Sequence, residues 1–245
     1  MPCPSIRISY NPPVKNSRAV WIEQLEGEVR EVLCDESSGH DFFHALRVRN
    51  LAVQLARAVG ADEEVVEAAA LVHDIGHANG REGHADQGAA VASTMLRRCR
   101  FPATKRRAVI ECVRHHEWEP NRRDHPRAPT PEYKALADAD RLDALGAIGI
   151  SRAFAFGGAH GRPVWNPDEA PLGNTAYGHS SIHHFYEKLL VLPQDMYTET
   201  ARRWATERVA LMRSFLDRFY SEWEGVDAPE AERTGLRLSR APESR

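Results

Sequence analysis

The sequence predicts an all-α fold, and three observations carry that prediction. Apolar residues recur at helical spacing through almost every segment between residues 17 and 224. No segment sustains the period-two alternation of a half-buried strand, and neither an internal repeat nor a low-complexity tract interrupts the pattern. The composition is that of an ordinary soluble globular chain: 245 residues, 42% apolar and 27% charged.

Each element has its own justification. Residues 1–16 hold Pro2, Pro4, Pro12 and Pro13 and read as an extended arm. Ser17 is placed to cap a helix over about 18–36. A second helix over 41–59 sets Val48, Leu51, Leu55 and Val59 on one face and stops at Gly60. Asp62, followed by Glu63 and Glu64, marks the start of a helix over 63–75 that Gly76 ends. Further helices fit 85–99, 103–118, 132–156, 180–192 and 197–224. The last of these brings Trp204, Arg208, Leu211, Phe215, Phe219 and Trp223 near one stripe. Two long loops, 119–131 and 157–179, separate helices, and the second is long enough to suggest a lid or a substrate-facing segment. Residues 225–245 lack periodicity and read as a disordered tail, which leaves one helical domain over 17–224.

Charge and cysteine usage narrow the function. With 32 Lys+Arg against 35 Asp+Glu the net charge is −3, which argues against a protein that binds nucleic acid through a basic surface. No apolar run approaches the roughly 18 residues of a membrane span. The start, Met1-Pro-Cys-Pro-Ser, has no basic n-region and no apolar h-region. Cys3, Cys34, Cys99 and Cys112 match no thiolate metal motif and read as reduced thiols of a cytoplasmic protein. A small molecule is the expected partner, with neither nucleic acid nor membrane, and the oligomeric state, a homodimer included, is left open. Twelve histidines are the unusual count.

Several of those histidines fall where a polar group has a cost. His44 lies in phase with Val48, Leu51 and Leu55, on the buried face of its helix. His73 and Asp74 end the apolar run VVEAAALV, and Asp140 sits among apolar residues in LADADRLDALGAIG. A buried carboxylate needs a cation or several donors, so three helices each bringing His or Asp inward suggest one shared ion. Two imidazoles and two carboxylates suit a divalent ion such as Mn, Fe, Co, Ni, Zn or Mg, and lack the thiolates of a structural zinc site. Such an ion polarises a phosphoryl oxygen and lowers the pKa of a bound water toward neutrality, so the favoured reaction is metal-assisted hydrolysis.

His44-x-x-Arg47-Val48, His73-Asp74-Ile-Gly and Ala139-Asp140-Arg141-Leu142, in that order, resemble the HD-domain metal-dependent phosphohydrolases over about 40–157. The resemblance implies that His44, His73, Asp74 and Asp140 are the metal ligands, with Asp140 preferred to Asp143 because the family's ligand directly precedes the basic residue and Leu. Asp143 is then expected in an ion pair with Arg47 or Arg141. The stretches SSIHHFYEKLL (180–190) and MYTETARRWATERVALMRSFLDRFYSEW (196–223) look like the C-terminal helices of one bacterial branch, the manganese-dependent nucleotide pyrophosphohydrolases. That likeness implies a (deoxy)nucleoside triphosphate as substrate and a metal-activated water as nucleophile. The same site could serve a phosphodiesterase or phosphomonoesterase, and a non-catalytic ligand sensor is the reading from another class.

Two further histidines, His77 and His84, look like the catalytic histidine that deoxynucleoside triphosphohydrolase relatives carry after the dyad, with Asp74 the third catalytic candidate. His84 lies about two residues later than in that pattern, with Gln87 at i+3. His115-His116-Glu117 resembles an element that holds a second ion in the two-metal branch, but the other His of that branch has no counterpart in Val91–Met95. One metal is therefore expected, with His116 lining the pocket. For the phosphates, the candidates are Lys188, one of four lysines in the chain, followed by Arg47 and Arg141, each adjacent to a motif. His40, His125, His160 and His179 are assigned no chemistry.

Overall fold

The computed structural model of the chain describes residues 17–33, 39–76, 84–116, 129–168 and 180–227, in which helices and turns occur and no strand. The expected arm, most of the tail, most of loop 119–131, residues 169–179, and His77, His125 and His179 lie outside the described residues. The chain divides into two compact units, Met1–Asp143 with Met196–Ala201, and Ala144–Asp195 with Arg202–Arg245.

In the first unit six helices follow in order: α1 (Ser17–Leu33), α2 (Phe42–Val59), α3 (Glu63–Val72), α4 (His84–Arg98), α5 (Arg106–His115) and α6 (Pro131–Asp143). Helix α3 is the centre. Val65–Val72 are all buried, and α1, α2, α5 and α6 pack around it. Its sequence, EEVVEAAALV, explains the placement, since alanines let neighbouring helices approach on every side and no polar face needs water. Asp62 caps its start, accepting from the amides of Glu64 and Val65 at 3.0 and 3.3 Å. Asp41 caps α2 through the His44 amide at 2.7 Å, and Gly60, at φ +68, ends it. Helices α2 and α6 pack against each other, so residues on their facing sides meet across the interface. Trp21 on α1 packs edge-on against Phe101, with ring centroids 4.8 Å apart, and closes the far side of the core.

Three sequence expectations are corrected. The helix expected over 132–156 is two helices, because Leu145 is extended (φ −116, ψ 161) and Gly146 takes φ +72 before α7 (Gly146–Ala159) begins. The close packing of this corner leaves no room at Gly149, where a Cβ would lie 2.1 Å from the Ala144 carbonyl oxygen. The dyad does not sit within α3 but just past it: His73 is the C-cap and Asp74 lies in the following turn. The helix expected over 180–192 is a short α8 (Ser181–His184), a π turn over Phe185–Leu189 and a 3-10 turn over Leu192–Asp195, where Pro193 lacks the amide that a continuing helix would use.

The second unit is built on aromatic packing. Phe154 of α7 meets Phe185 and Phe215 at 6.0 and 5.8 Å between centroids, and Trp165 packs against Phe219, Tyr220 and Trp223. The stripe expected along the last helix, α9 (Glu199–Trp223), is corrected too: the buried face is Ala201, Ala205, Val209, Met212 and Leu216, while Phe215 and Phe219 are half-buried and Leu211 and Trp223 are each 49% exposed. Among the described residues no helix is long and apolar enough to cross a membrane.

Candidate metal centre

The C-terminal end of α3, the first turn of α2 and the last turns of α6 converge. His44 Nε2 lies 3.1 Å from His73 Nε2, 3.2 Å from Asp74 Oδ2 and 3.5 Å from Asp140 Oδ1. His73 Nε2 lies 3.3 Å from Asp74 Oδ2 and 3.8 Å from Asp140 Oδ1. His44, His73 and Asp74 are 0%, 2% and 3% exposed.

The ring orientations are set from behind. His73 Nδ1 donates to the Ala70 carbonyl at 2.8 Å, and His44 Nδ1 donates to Asp143 Oδ2 at 2.8 Å. Both partners are acceptors only, so each Nδ1 carries the hydrogen and each Nε2 presents its lone pair forward. Two lone pairs and two carboxylates then face one point, a set of acceptors that cannot satisfy one another. A cation satisfies all four. Ions bound at roughly 2.0–2.3 Å bring neighbouring donors to about 3–3.7 Å from one another. The observed separations fall in or near that range, and the donor set fits a divalent first-row ion. His44, His73, Asp74 and Asp140 would hold it.

Protonated, the same imidazoles act as counter-charges to the carboxylates. Burial pushes the Asp74 carboxyl up, but His73, His40 and the hydrogen bond from His116 outweigh it and hold Asp74 well below the usual carboxylate range. Burial and the Asp74 charge likewise raise Asp140, and the imidazoles of His44 and His73 reverse that, keeping it ionised.

Two histidines extend the cluster. His116 is 3% exposed; its Nδ1 donates to the Val113 carbonyl at 2.7 Å and its Nε2 lies 3.3 Å from Asp74 Oδ1. It therefore meets the opposite oxygen of Asp74 from the one that faces His44. Burial lowers the His116 pKa, but Asp74 and Asp140 raise it overall. His40 corrects the sequence reading, which gave it no chemistry: its Nδ1 lies 2.6 Å from Asp74 Oδ2, and 31% of its side chain is exposed. The available signal was spacing, since His40 stands four residues before His44 and directly precedes the cap of α2.

The expected phosphate ligands have different surroundings. Arg47 spends Nε and Nη2 on Asp143, at 2.8 and 3.0 Å, with a third of its side chain exposed. Arg141 is 3% exposed, 3.7 Å from Asp138 and stacked over Tyr197, so it serves the packing of α6 against residues 196–201 rather than an open pocket. Lys188 belongs to the second unit, half-buried on the π turn. There burial and the charges of Lys188, Arg162 and His183 push the neighbouring His184 down to about 4. His84 opens α4, but its side chain lies outside the described set, as does all of His77.

Comparison with known proteins supports the same reading. Residues 41–145 match the HD domain family. Protein YpgQ of Bacillus subtilis is 35% identical over 208 residues, which cover 84% of this chain and 95% of that protein. The crystal structure of YpgQ in complex with ADP is similar with a TM-score of 0.68 at 33% identity, covering 84% of this chain and all of that one (100%). An HD-superfamily hydrolase from Bacillus thuringiensis has a TM-score of 0.66 at 34% identity, covering 84% of this chain and 98% of that one.

Proposed function

This chain belongs to the HD-domain phosphohydrolase superfamily, and from that premise we propose that it hydrolyses (deoxy)nucleoside triphosphates to the monophosphate and pyrophosphate. His44 Nε2 and His73 Nε2 lie 3.1 Å apart and each within 3.2–3.8 Å of Asp74 and Asp140, and this convergence carries the proposal. Bound there, a divalent ion, Mn²⁺ by preference, supplies Lewis acidity at a phosphoryl oxygen and a nucleophilic oxygen at neutral pH.

The chain's own residues supply the rest. His44 and His73 are locked as Nε2 donors by Asp143 and the Ala70 carbonyl, so the site is oriented before substrate arrives. His40 and His116 flank Asp74 on its two oxygens, and His40, with 31% of its side chain exposed, is placed to donate toward a phosphate oxygen or a leaving group. A nucleotide as substrate is supported by the ADP in the crystal structure of the relative YpgQ. Phosphoryl transfer is mostly positioning and charge stabilisation, so further cations must meet the phosphates. From the sequence, Lys188 is the first of these, and Lys188→Ala is expected to lower kcat/KM at least ten-fold with metal content unchanged. Normal turnover in that variant would remove Lys188 from the substrate site.

The test of the whole reading is a panel of ribo- and deoxyribonucleoside triphosphates with Mn²⁺, its products separated by anion exchange. Pyrophosphate and monophosphate are expected in equal amounts. Orthophosphate as the released product would make the enzyme a phosphomonoesterase, and no turnover of any nucleotide would overturn the assignment.

A further inference from the structure

One contact behind the metal centre goes beyond the ligand set. Helix α2 carries His44 and Arg47 one turn apart, and α6 carries Asp140 and Asp143 one turn apart, on the faces the two helices present to each other. The His44 ring spans the pair on α6: its Nε2 edge lies 3.5 Å from Asp140 Oδ1, and its Nδ1 edge lies 2.8 Å from Asp143 Oδ2. Asp143 is 1% exposed. Arg47 grips it with two contacts, Nε to Oδ1 at 2.8 Å and Nη2 to Oδ2 at 3.0 Å.

We propose that Asp143 and Arg47 are positioning residues that fix His44 as a metal donor, and that Arg47 is not a ligand for the substrate's phosphates. The proposal rests on the reading of His44, His73, Asp74 and Asp140 as a divalent-cation site. Asp143, an acceptor at both oxygens, holds the hydrogen of His44 on Nδ1 and so turns the Nε2 lone pair toward His73, Asp74 and Asp140. A carboxylate behind a ligating imidazole also raises its basicity. A carboxylate buried this deeply needs a counter-charge, and the two contacts from the Arg47 guanidinium supply it. The fork geometry makes the pair rigid as well as neutral.

The experiment compares wild type, Asp143→Asn, Arg47→Ala and Arg47→Lys as full chains stripped of metal. Mn²⁺ affinity is read by titration calorimetry, and hydrolysis is measured against Mn²⁺ and against nucleotide separately. An amide at 143 cannot keep all three contacts. With its oxygen in the Oδ2 position it still accepts from His44 Nδ1 and Arg47 Nη2 but turns an N–H against Arg47 Nε. With its oxygen in the Oδ1 position it offers N–H to the ring and forces the wrong tautomer. Asp143→Asn is therefore expected to weaken Mn²⁺ binding about 10–100-fold. Arg47→Ala should act in the same direction, and Arg47→Lys, which keeps the charge but not the fork, less so. At saturating Mn²⁺ the nucleotide KM should stay at the wild-type value in the Arg47 variants and kcat should largely return.

Should Asp143→Asn fail to fold, the Arg47 variants carry the test, because that side chain is one-third exposed. Wild-type Mn²⁺ affinity in all three variants overturns the proposal. So does an Arg47→Ala protein with unchanged Mn²⁺ affinity and a raised nucleotide KM, which would make Arg47 a phosphate ligand. The underlying centre fails in a different way: wild type and His73→Ala would then bind Mn²⁺ alike, or neither would bind it.

Discussion

Helix α3 carries two buried ionic clusters, one at Glu67 near its middle and one at His73–Asp74 past its end, and they balance charge in opposite ways. Glu67 is 5% exposed. Its Oε2 accepts from Arg18 Nε at 2.9 Å and lies 2.8 Å from Arg18 Nη2, and its Oε1 faces Arg49 Nε at 3.4 Å. Arg49 in turn pairs with Glu26. Arg18 also reaches Glu63, which pairs with Arg57, so three guanidinium groups meet three carboxylates and tie three helices with charge that closes within the chain. At the other cluster His40 and His116 meet Asp74, while Nε2 of His44 and His73, their rings oriented from behind by Asp143 and the Ala70 carbonyl, face the carboxylates of Asp74 and Asp140. Charge that closes within the chain holds the fold, whereas charge that closes only with an added ion marks a binding site.

The largest expected effect breaks the second cluster and spares the fold. His73→Ala and Asp74→Ala should each abolish stoichiometric Mn²⁺ binding and hydrolysis, with helical circular dichroism close to wild type. The core around α3 is held by buried Val, Ala and Leu side chains and by the Glu67 cluster, none of which depends on the ion. Full activity in Asp74→Ala with excess Mn²⁺ would contradict the contrast at its root.

The converse variant is Glu67→Gln. It leaves two guanidinium groups facing a neutral amide, and removing one partner of a buried pair costs about 3–5 kcal/mol. Arg18 and Arg49 keep 33% and 26% of their side chains exposed, so water recovers part of that cost and the lower end, about 3 kcal/mol, is expected. Urea denaturation measures it. Mn²⁺ affinity should not change, and a Glu67 variant that loses metal would show that the two clusters are coupled through α3.

Ligand linkage gives a third measure of the same difference. Mn²⁺ at about 100 times its dissociation constant should stabilise the native state by about 2.7 kcal/mol. Wild type and Glu67→Gln should show this gain in thermal melts and His73→Ala should not. Equal gains in all three would mean that Mn²⁺ binds elsewhere.

How far the sequence leads depends on whether a feature is local. The helices of the first unit follow from periodicity and caps, because Asp41, Gly60 and Asp62 act on their own backbone neighbours. The break between α6 and α7 was missed although Gly146 marks it, because the LADADRLDALGAIG pattern stays apolar through the corner. The π turn at 185–189 has no local signature that periodicity could find. At the site, His44, His73, Asp74 and Asp140 stand out in sequence as polar groups on apolar faces, and the structure brings them together. His40 does not stand out: it precedes a helix, and only the fold brings it to Asp74. Arg47 and Asp143 lie 96 residues apart, so sequence could name an ion pair as one option but could not show that it closes behind His44.

The smallest expected effect concerns the opposite end of α3. Asp62 caps the helix and also pairs with Lys105 Nζ at 2.6 Å. Replacing an N-cap Asp by Ala costs about 1 kcal/mol, and Asp62→Ala should lower stability by about that much at pH 7 with Mn²⁺ affinity unchanged. The pH dependence has a definite sign. Slight burial pushes the Asp62 carboxyl up, but the hydrogen bond from Lys105 and those from the α3 amides outweigh it, so its pKa is lowered on folding. A group whose pKa is lower in the folded state stabilises fully above its unfolded value of about 3.9 and loses that contribution as pH falls through the folded value. The ionic part of the difference between wild type and Asp62→Ala should therefore be constant from neutral pH down to about 5 and shrink below about 4. Denaturation curves at stepped pH test this. A difference that grew in acid would mean that Lys105 and the helix amides do not hold Asp62 ionised, and that the start of α3 is not balanced within the chain as Glu67 is.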